Sequence, residues 1–137
     1  MTIVQPFATP LKPVQLDAYG LLLQPLQAHH AQDLALAAAD GELWSLHYTS
    51  VPAPGQESSY IAQALEQQAL GHQLAFVVVD SSTQKIIGST RYHDIQPEVA
   101  RLEIGYTWYA ESSQRTHINT AAKLLLLSHA FETLKAN

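Results

Sequence analysis

Apolar and polar residues alternate most strictly between Arg101 and Tyr109, where Leu102, Ile104, Tyr106 and Trp108 are interleaved with Arg101, Glu103 and Thr107. A period of two predicts a strand over 101–109 with one face on a core. Upstream, Ala75-Phe76-Val77-Val78-Val79 is continuous and largely β-branched, and Asp80-Ser81-Ser82-Thr83 supplies turn chemistry before Lys85 to His93. That pattern predicts a β-hairpin of strands over 74–80 and 85–93. Leu21-Leu22-Leu23-Gln24-Pro25 has the length of a further buried strand, over 21–25.

The period changes elsewhere. His29 to Ala39 carries Leu34, Leu36 and a block of Ala, and ends at Asp40-Gly41, which predicts a helix over 29–39. The His29-His30 pair is expected to face solvent. Ser58 or Ser59 can cap a second helix over 58–70, in which Tyr60, Ile61, Ala64, Leu65 and Gln68 recur at helical spacing until Gly71. Thr116 to Leu134 has no Gly or Pro and includes Leu124-Leu125-Leu126-Leu127, so a long last helix is expected over 117–134. Trp44 to Gly55, with Pro52 and Pro54, reads as a loop. Pro6, Pro10 and Pro13 make residues 1–15 an extended N-terminal arm lying over the domain, which begins at residue 16. The expected fold class is α+β, resembling an α/β sandwich: a central, mostly antiparallel sheet flanked by helices, with consecutive strands as neighbours.

Composition narrows the function classes. At 137 residues, with 47% hydrophobic and 14% charged, the chain has enough apolar surface for one folded domain. It lacks the run of about 18 apolar residues that a membrane span needs. The net charge of -5, with seven scattered Lys and Arg, gives no footprint for duplex nucleic acid or an anionic membrane. Without cysteine, disulfides, zinc ribbons and thiol catalysis are excluded. The first residues lack the basic region of a signal peptide, so the cytoplasm is the expected location. The seven histidines include no H-x-x-x-H or H-E-x-x-H spacing, so no metal site is expected. The nucleophile elbow, the dinucleotide fingerprint and the Walker loop are missing as well.

The chemistry-bearing segment is the strand 101–109, the polar turn Glu111 to Thr120 and the helix that follows. A strand running through a short turn into a helix brings backbone amides and the helix dipole to bear on a phosphate. It can equally be an ordinary connection capped by Ser, Asn or Thr.

Arg101-Leu102-Glu103-Ile104-Gly105-Tyr106-Thr107-Trp108-Tyr109, followed by Gln114-Arg115-Thr116-His117-Ile118-Asn119-Thr120-Ala121-Ala122-Lys123, resembles the GNAT superfamily of acetyl-CoA-dependent N-acetyltransferases. More narrowly, it is similar to the Rim branch that acetylates ribosomal-protein N-termini. The resemblance takes in Gly41-Glu42-Leu43-Trp44 and Ile87-Gly88-Ser89-Thr90-Arg91-Tyr92, and so runs from Leu16 onward. It implies an acyl-CoA N-acyltransferase-like fold and acetyl-CoA as co-substrate. The family's Q/R-x-x-G-x-G/A loop begins here at Gln114 and Arg115, with His117 and Asn119 standing in the glycine places. By resemblance, Gln114, Arg115, Thr116, His117, Ile118, Asn119 and Thr120 hold the pyrophosphate, and Tyr106, Thr107 and Trp108 line the pantetheine.

The resemblance further implies a carboxylate on this strand that takes the acceptor amine's proton, directly or through water, and Glu103 is the candidate. Glu103 could instead form a cross-strand ion pair, since a hairpin centred on Pro97 would put Arg91 opposite it. His93 and His117 are alternative bases. In the family a further strand, a helix and a closing hairpin follow the last helix, so residues 16–137 are expected to be an incomplete domain lacking its C-terminal strands. The strand 101–109 would then expose an edge, and a homo-oligomer, most simply a dimer, is expected. The expected activity is acetyl transfer to a primary amine, either a protein N-terminus or a small amine. The alternative is a non-catalytic remnant that binds coenzyme A or a protein partner.

Overall fold

The computed structural model describes residue 6, residues 10–45 and residues 51–136. Five strands form one sheet: β1 (Leu16–Ala18), β2 (Leu21–Pro25), β3 (Leu74–Asp80), β4 (Lys85–Gln96) and β5 (Arg101–Tyr109). Their spatial order is their chain order, and every neighbouring pair is antiparallel. Three helices flank the sheet: α1 (Ala31–Ala39), α2 (Glu57–Ala69) and α3 (Ile118–Ser128).

The continuous apolar run in β3 follows from burial on both faces. Leu74, Phe76 and Val78 point to one side, where they meet Leu21, Leu23, Tyr92, Ala122 and Leu126 beneath α3. Ala75, Val77 and Val79 point to the other, against Leu34, Ala38, Ile61, Ala64 and Trp108 in the layer of α1 and α2. Leu11 is buried in the α3 layer and Val14 packs against the same cluster. Residues 1–5 and 7–9 of the arm, and residues 46–50 of the expected loop, lie outside the described residues.

Four features differ from the expectation. β1 was not foreseen, because three residues joined to β2 by a Tyr19-Gly20 turn are too few to show a period. β4 runs to Gln96 rather than ending at His93, passing through Asp94 with a left-handed φ of 45°. His30 is buried rather than solvent-facing, and its Nδ1 accepts the Gln27 backbone N–H at 3.0 Å in the turn that opens α1. The expected last helix is regular only to Ser128, and residues His129–Thr133 form a π-helical turn. The Tyr92 hydroxyl reaches from β4 to donate to the Leu126 carbonyl, and the backbone bonds reset so that Leu134 N–H reaches the His129 carbonyl. A side chain inserted into the helical ladder is a recognised cause of such a shift.

Candidate functional site

The ladder between β4 and β5 loses count at two points, between His93 and Gln96 and between Ser89 and Arg91. Ser89 faces Trp108 while Arg91 faces Gly105, so β5 carries one extra residue opposite Thr90. Tyr106 absorbs it, with a left-handed φ of 51° that is uncommon for a residue with a side chain. Hydroxyls clamp this bulge: Thr107 Oγ1 donates to the Gly105 carbonyl at 3.2 Å and lies 2.8 Å from Thr90 Oγ1. Among the described residues β5 has only β4 as a strand neighbour, so the bulge stands on a sheet edge.

Register settles what faces Glu103. Pro97–Val99 form a short 3-10 turn and Ala100 is left-handed, which moves the centre of the hairpin past Pro97. His93, not Arg91, therefore lies opposite Glu103, with Nδ1 3.7 Å from the Glu103 carboxylate and 2.8 Å from that of Asp94. The expected Arg91–Glu103 pair does not form. Hydrogen bonding with Glu103, and secondarily with His93, holds the Asp94 carboxyl below the usual range. His93, Asp94 and Glu103 each bring a possible ligand atom within 4.8 Å of the others, although both carboxylates are exposed.

Arg91 lies on the α2 side of the sheet, its guanidinium 5.3 Å from the Tyr60 ring centroid and 4.3 Å from that of Tyr106. Its Nη1 donates to Gln73 Oε1 at 2.7 Å. The placement of Tyr60 and Gln73 around Arg91 was not legible in the sequence. The bulge itself had a signal, an isolated Gly105 inside an alternating strand.

The turn after β5 is tied down at both ends. Gln114 Nε2 donates to the Tyr109 carbonyl at 2.9 Å, Thr116 Oγ1 donates to the Ser113 carbonyl at 2.7 Å, and the Ile118 N–H donates to Thr116 Oγ1 at 3.3 Å. The left-handed residue here is Arg115, with φ 60°, whereas His117 has φ -68° and Asn119 lies within α3. The two positions where the resembling pattern has glycine therefore impose no backbone strain. The Tyr109 hydroxyl donates to Asn119 Oδ1 at 3.2 Å, and burial pushes its pKa up to about 12, so it stays protonated.

Of the sequence candidates, Glu103, Tyr106, Gln114, Arg115, Thr116, His117, Asn119 and Thr120 are exposed and Thr107 is half-buried. Trp108 and Ile118 are buried, the Trp108 indole donating to the Tyr60 hydroxyl at 3.3 Å, so these two have only backbone to offer a ligand. The structure thus brings a bulged edge strand and a helix N-terminus together through one tethered turn. A cavity of about 770 Å³ is walled by β2, α1 and the β3–β4 hairpin and reaches Ala110 and Ser112 at the start of the turn after β5.

The acetyltransferase (GNAT) domain family matches residues 20–137, and the chain belongs to it. The chain has no significant match among the curated protein sequences. Among solved structures it is similar to a GCN5-related N-acetyltransferase from Brucella melitensis, with a TM-score of 0.79 and 22% identity over 96% of this chain and 60% of that one. It is similar also to a candidate ribosomal-protein-serine acetyltransferase from Vibrio cholerae, with a TM-score of 0.74 and 18% identity over 92% of this chain and 72% of that one. A third is RimL, a ribosomal L7/L12 alpha-N-protein acetyltransferase in complex with coenzyme A, with a TM-score of 0.70 and 17% identity over 85% of this chain and 67% of that one. These likenesses establish the acyl-CoA N-acyltransferase fold. The chain spans about 60% of the length of the Brucella protein.

Proposed function

We propose that the chain is the acetyl-CoA-binding part of an N-acetyltransferase acting on a primary amine, with a protein N-terminus as the favoured acceptor. The observation that carries this reading is the left-handed bulge at Tyr106 on the edge of β5, joined by a tethered turn to the N-terminus of α3. Backbone amides of residues 115–120 and the positive end of the α3 dipole suit a pyrophosphate, and Arg115 adds a cation to them. Pantetheine would run along the edge of β5 from Tyr106 to Trp108. The resemblance to ribosomal-protein acetyltransferases supports the protein acceptor.

Acetyl-CoA, when bound, would supply the acetyl thioester. Glu103 takes the proton as the amine nitrogen bonds to the acetyl carbonyl carbon. The carbon–sulfur bond breaks, and sulfur leaves as a thiolate that is protonated from solvent. Backbone N–H groups at the bulge would stabilise the carbonyl oxygen as its charge grows. Among the described residues no helix is long and apolar enough to cross a membrane. We place the protein in the cytoplasm, as a homo-oligomer.

Calorimetry with coenzyme A tests the reading. Arg115→Glu puts a negative charge beside a polyanion, so binding should weaken at least tenfold, most at low salt. Unchanged affinity would overturn this placement. Binding without thiolate release over a panel of amines would favour the non-catalytic reading.

A further inference from the structure

We propose that the pocket between α2 and the β4–β5 bulge is an acceptor subsite for a carboxylate, with the Arg91 guanidinium as its receptor. This rests on the acetyl-transfer reading above and deepens it by naming a chemical feature of the acceptor. The pocket holds about 310 Å³ and is lined by Tyr60, Gln63, Gln67, Gln73, Arg91 and Tyr106.

Arg91 is only 5% exposed, yet neither ion pair among the described residues involves it, both being made by His93. Its one hydrogen bond to a side chain goes to a neutral amide, Gln73 Oε1, and its buried Nε has no hydrogen-bond partner. A buried cation without a counter-charge is unfavourable, and folds that keep one ordinarily pair it. The rings of Tyr60 and Tyr106 lie against the guanidinium, which steadies its plane while leaving N–H groups directed along its edge. A planar fork of donors matches the two oxygens of a carboxylate. The remaining lining residues with polar ends are glutamine amides and tyrosines, which carry no competing charge.

Position ties the pocket to the reaction. Tyr106 is both a wall of the pocket and the bulge residue, and Glu103 lies on the same strand two residues before Gly105, which faces Arg91. An acceptor anchored by a carboxylate at Arg91 therefore has its amine within reach of the bulge. Two acceptors share that chemistry: a free α-amino acid, through its own carboxylate, and a peptide N-terminus with Asp or Glu close behind the amine.

The test is a titration of the ¹⁵N-labelled chain, following the Arg91 Nε–H signal, which Arg91→Lys assigns by its disappearance. The probes are N-acetylserine, N-acetylserinamide and the acetylated dipeptide amide Ser-Asp. At least one carboxylate probe should shift the signal saturably, whereas N-acetylserinamide should not. A response to N-acetylserine assigns the free amino acid, and a response only to Ser-Asp assigns the acidic peptide. Gln73→Glu supplies an internal carboxylate beside Nη1 and should weaken the response at least tenfold, its unfolding midpoint showing that the fold persists. Equal responses to acid and amide, or a Gln73→Glu chain that responds like the parent, overturn the proposal. Coenzyme A calorimetry on the same sample separates the two readings. Coenzyme A binding with no Arg91 response sinks the subsite alone, and the response without coenzyme A binding sinks the acetyl-transfer reading alone.

Discussion

The imidazole of His93 lies over Gly105 so closely that a Cβ at position 105 would stand 2.4 Å from its Nε2 and 2.9 Å from its Cδ2. The bare backbone lets the ring rest across β5, edge-on to Tyr106 at 5.1 Å between centroids and with Nδ1 turned to Asp94 and Glu103. Glycine at 105 is thus a requirement of the neighbouring strand's side chain. Gly105→Ala is expected to swing the ring aside, lowering stability by about 1–3 kcal/mol as overpacking does. Urea unfolding measures the loss.

Glu103→Gln keeps the shape of an exposed side chain and removes its basicity. Stability should change by less than about 0.5 kcal/mol, as for other surface substitutions. Thiolate release, measured with a saturating amine, should fall about a hundredfold or more if this carboxylate is the base. An undiminished rate would assign Glu103 to holding His93 instead.

Tyr92 is the largest of the fully buried side chains, and burial drives its phenol pKa upward, so it remains a donor to the Leu126 carbonyl across the ordinary pH range. Tyr92→Phe leaves that carbonyl without its side-chain partner and should destabilise the chain by about 1–2 kcal/mol. Denaturant unfolding reads the loss. Amide exchange at Leu134, whose N–H closes the π turn on His129, should accelerate.

His30 accepts a backbone N–H at Nδ1, which requires the neutral ring, and burial followed by repulsion from His29 lowers its pKa below the usual 6.5. The unfolded chain therefore binds this proton at a higher pH than the folded one. The sign is that stability is fully present above 6.5 and declines as pH falls through the unfolded value towards the lowered folded one. His129, also lowered by burial, adds in the same direction. Melting temperatures between pH 8 and pH 5 should fall, and His30→Ala should flatten the slope while removing the capping acceptor, at about 1 kcal/mol.

An edge strand beside exposed Leu124, Leu127 and Phe131 invites a second copy of the same surface. Light scattering at tens of micromolar should give a dimer, and Phe131→Lys should shift it towards monomer. A monomeric parent chain would remove the proposed self-association.

Local pattern alone was enough for the strands over 74–80 and 101–109, the helix near 58–70 and the antiparallel order, because side-chain periodicity and turn chemistry are written within a few neighbouring residues. The strand–turn–helix course of the chain from Arg101 was legible for the same reason, whereas the candidate residues on it came from the family resemblance. Which side chains meet was not legible. Whether Arg91 or His93 faces Glu103 depends on where the hairpin is centred and on the shift in pairing between His93 and Gln96, and a bulge has no period of its own until the partner strand is aligned. Gly88 shows the same dependence: its added Cβ would come within 2.1 Å of the Trp108 carbonyl, a contact that exists only once β5 is paired. The π turn after Ser128 depends on a hydroxyl 34 positions away in the chain, and the burial of Arg91 on α2 packing across the sheet. Periodicity assigns each residue to a face, but contacts across strands and layers arise only when all of them are packed at once, and the candidate site is made of those contacts.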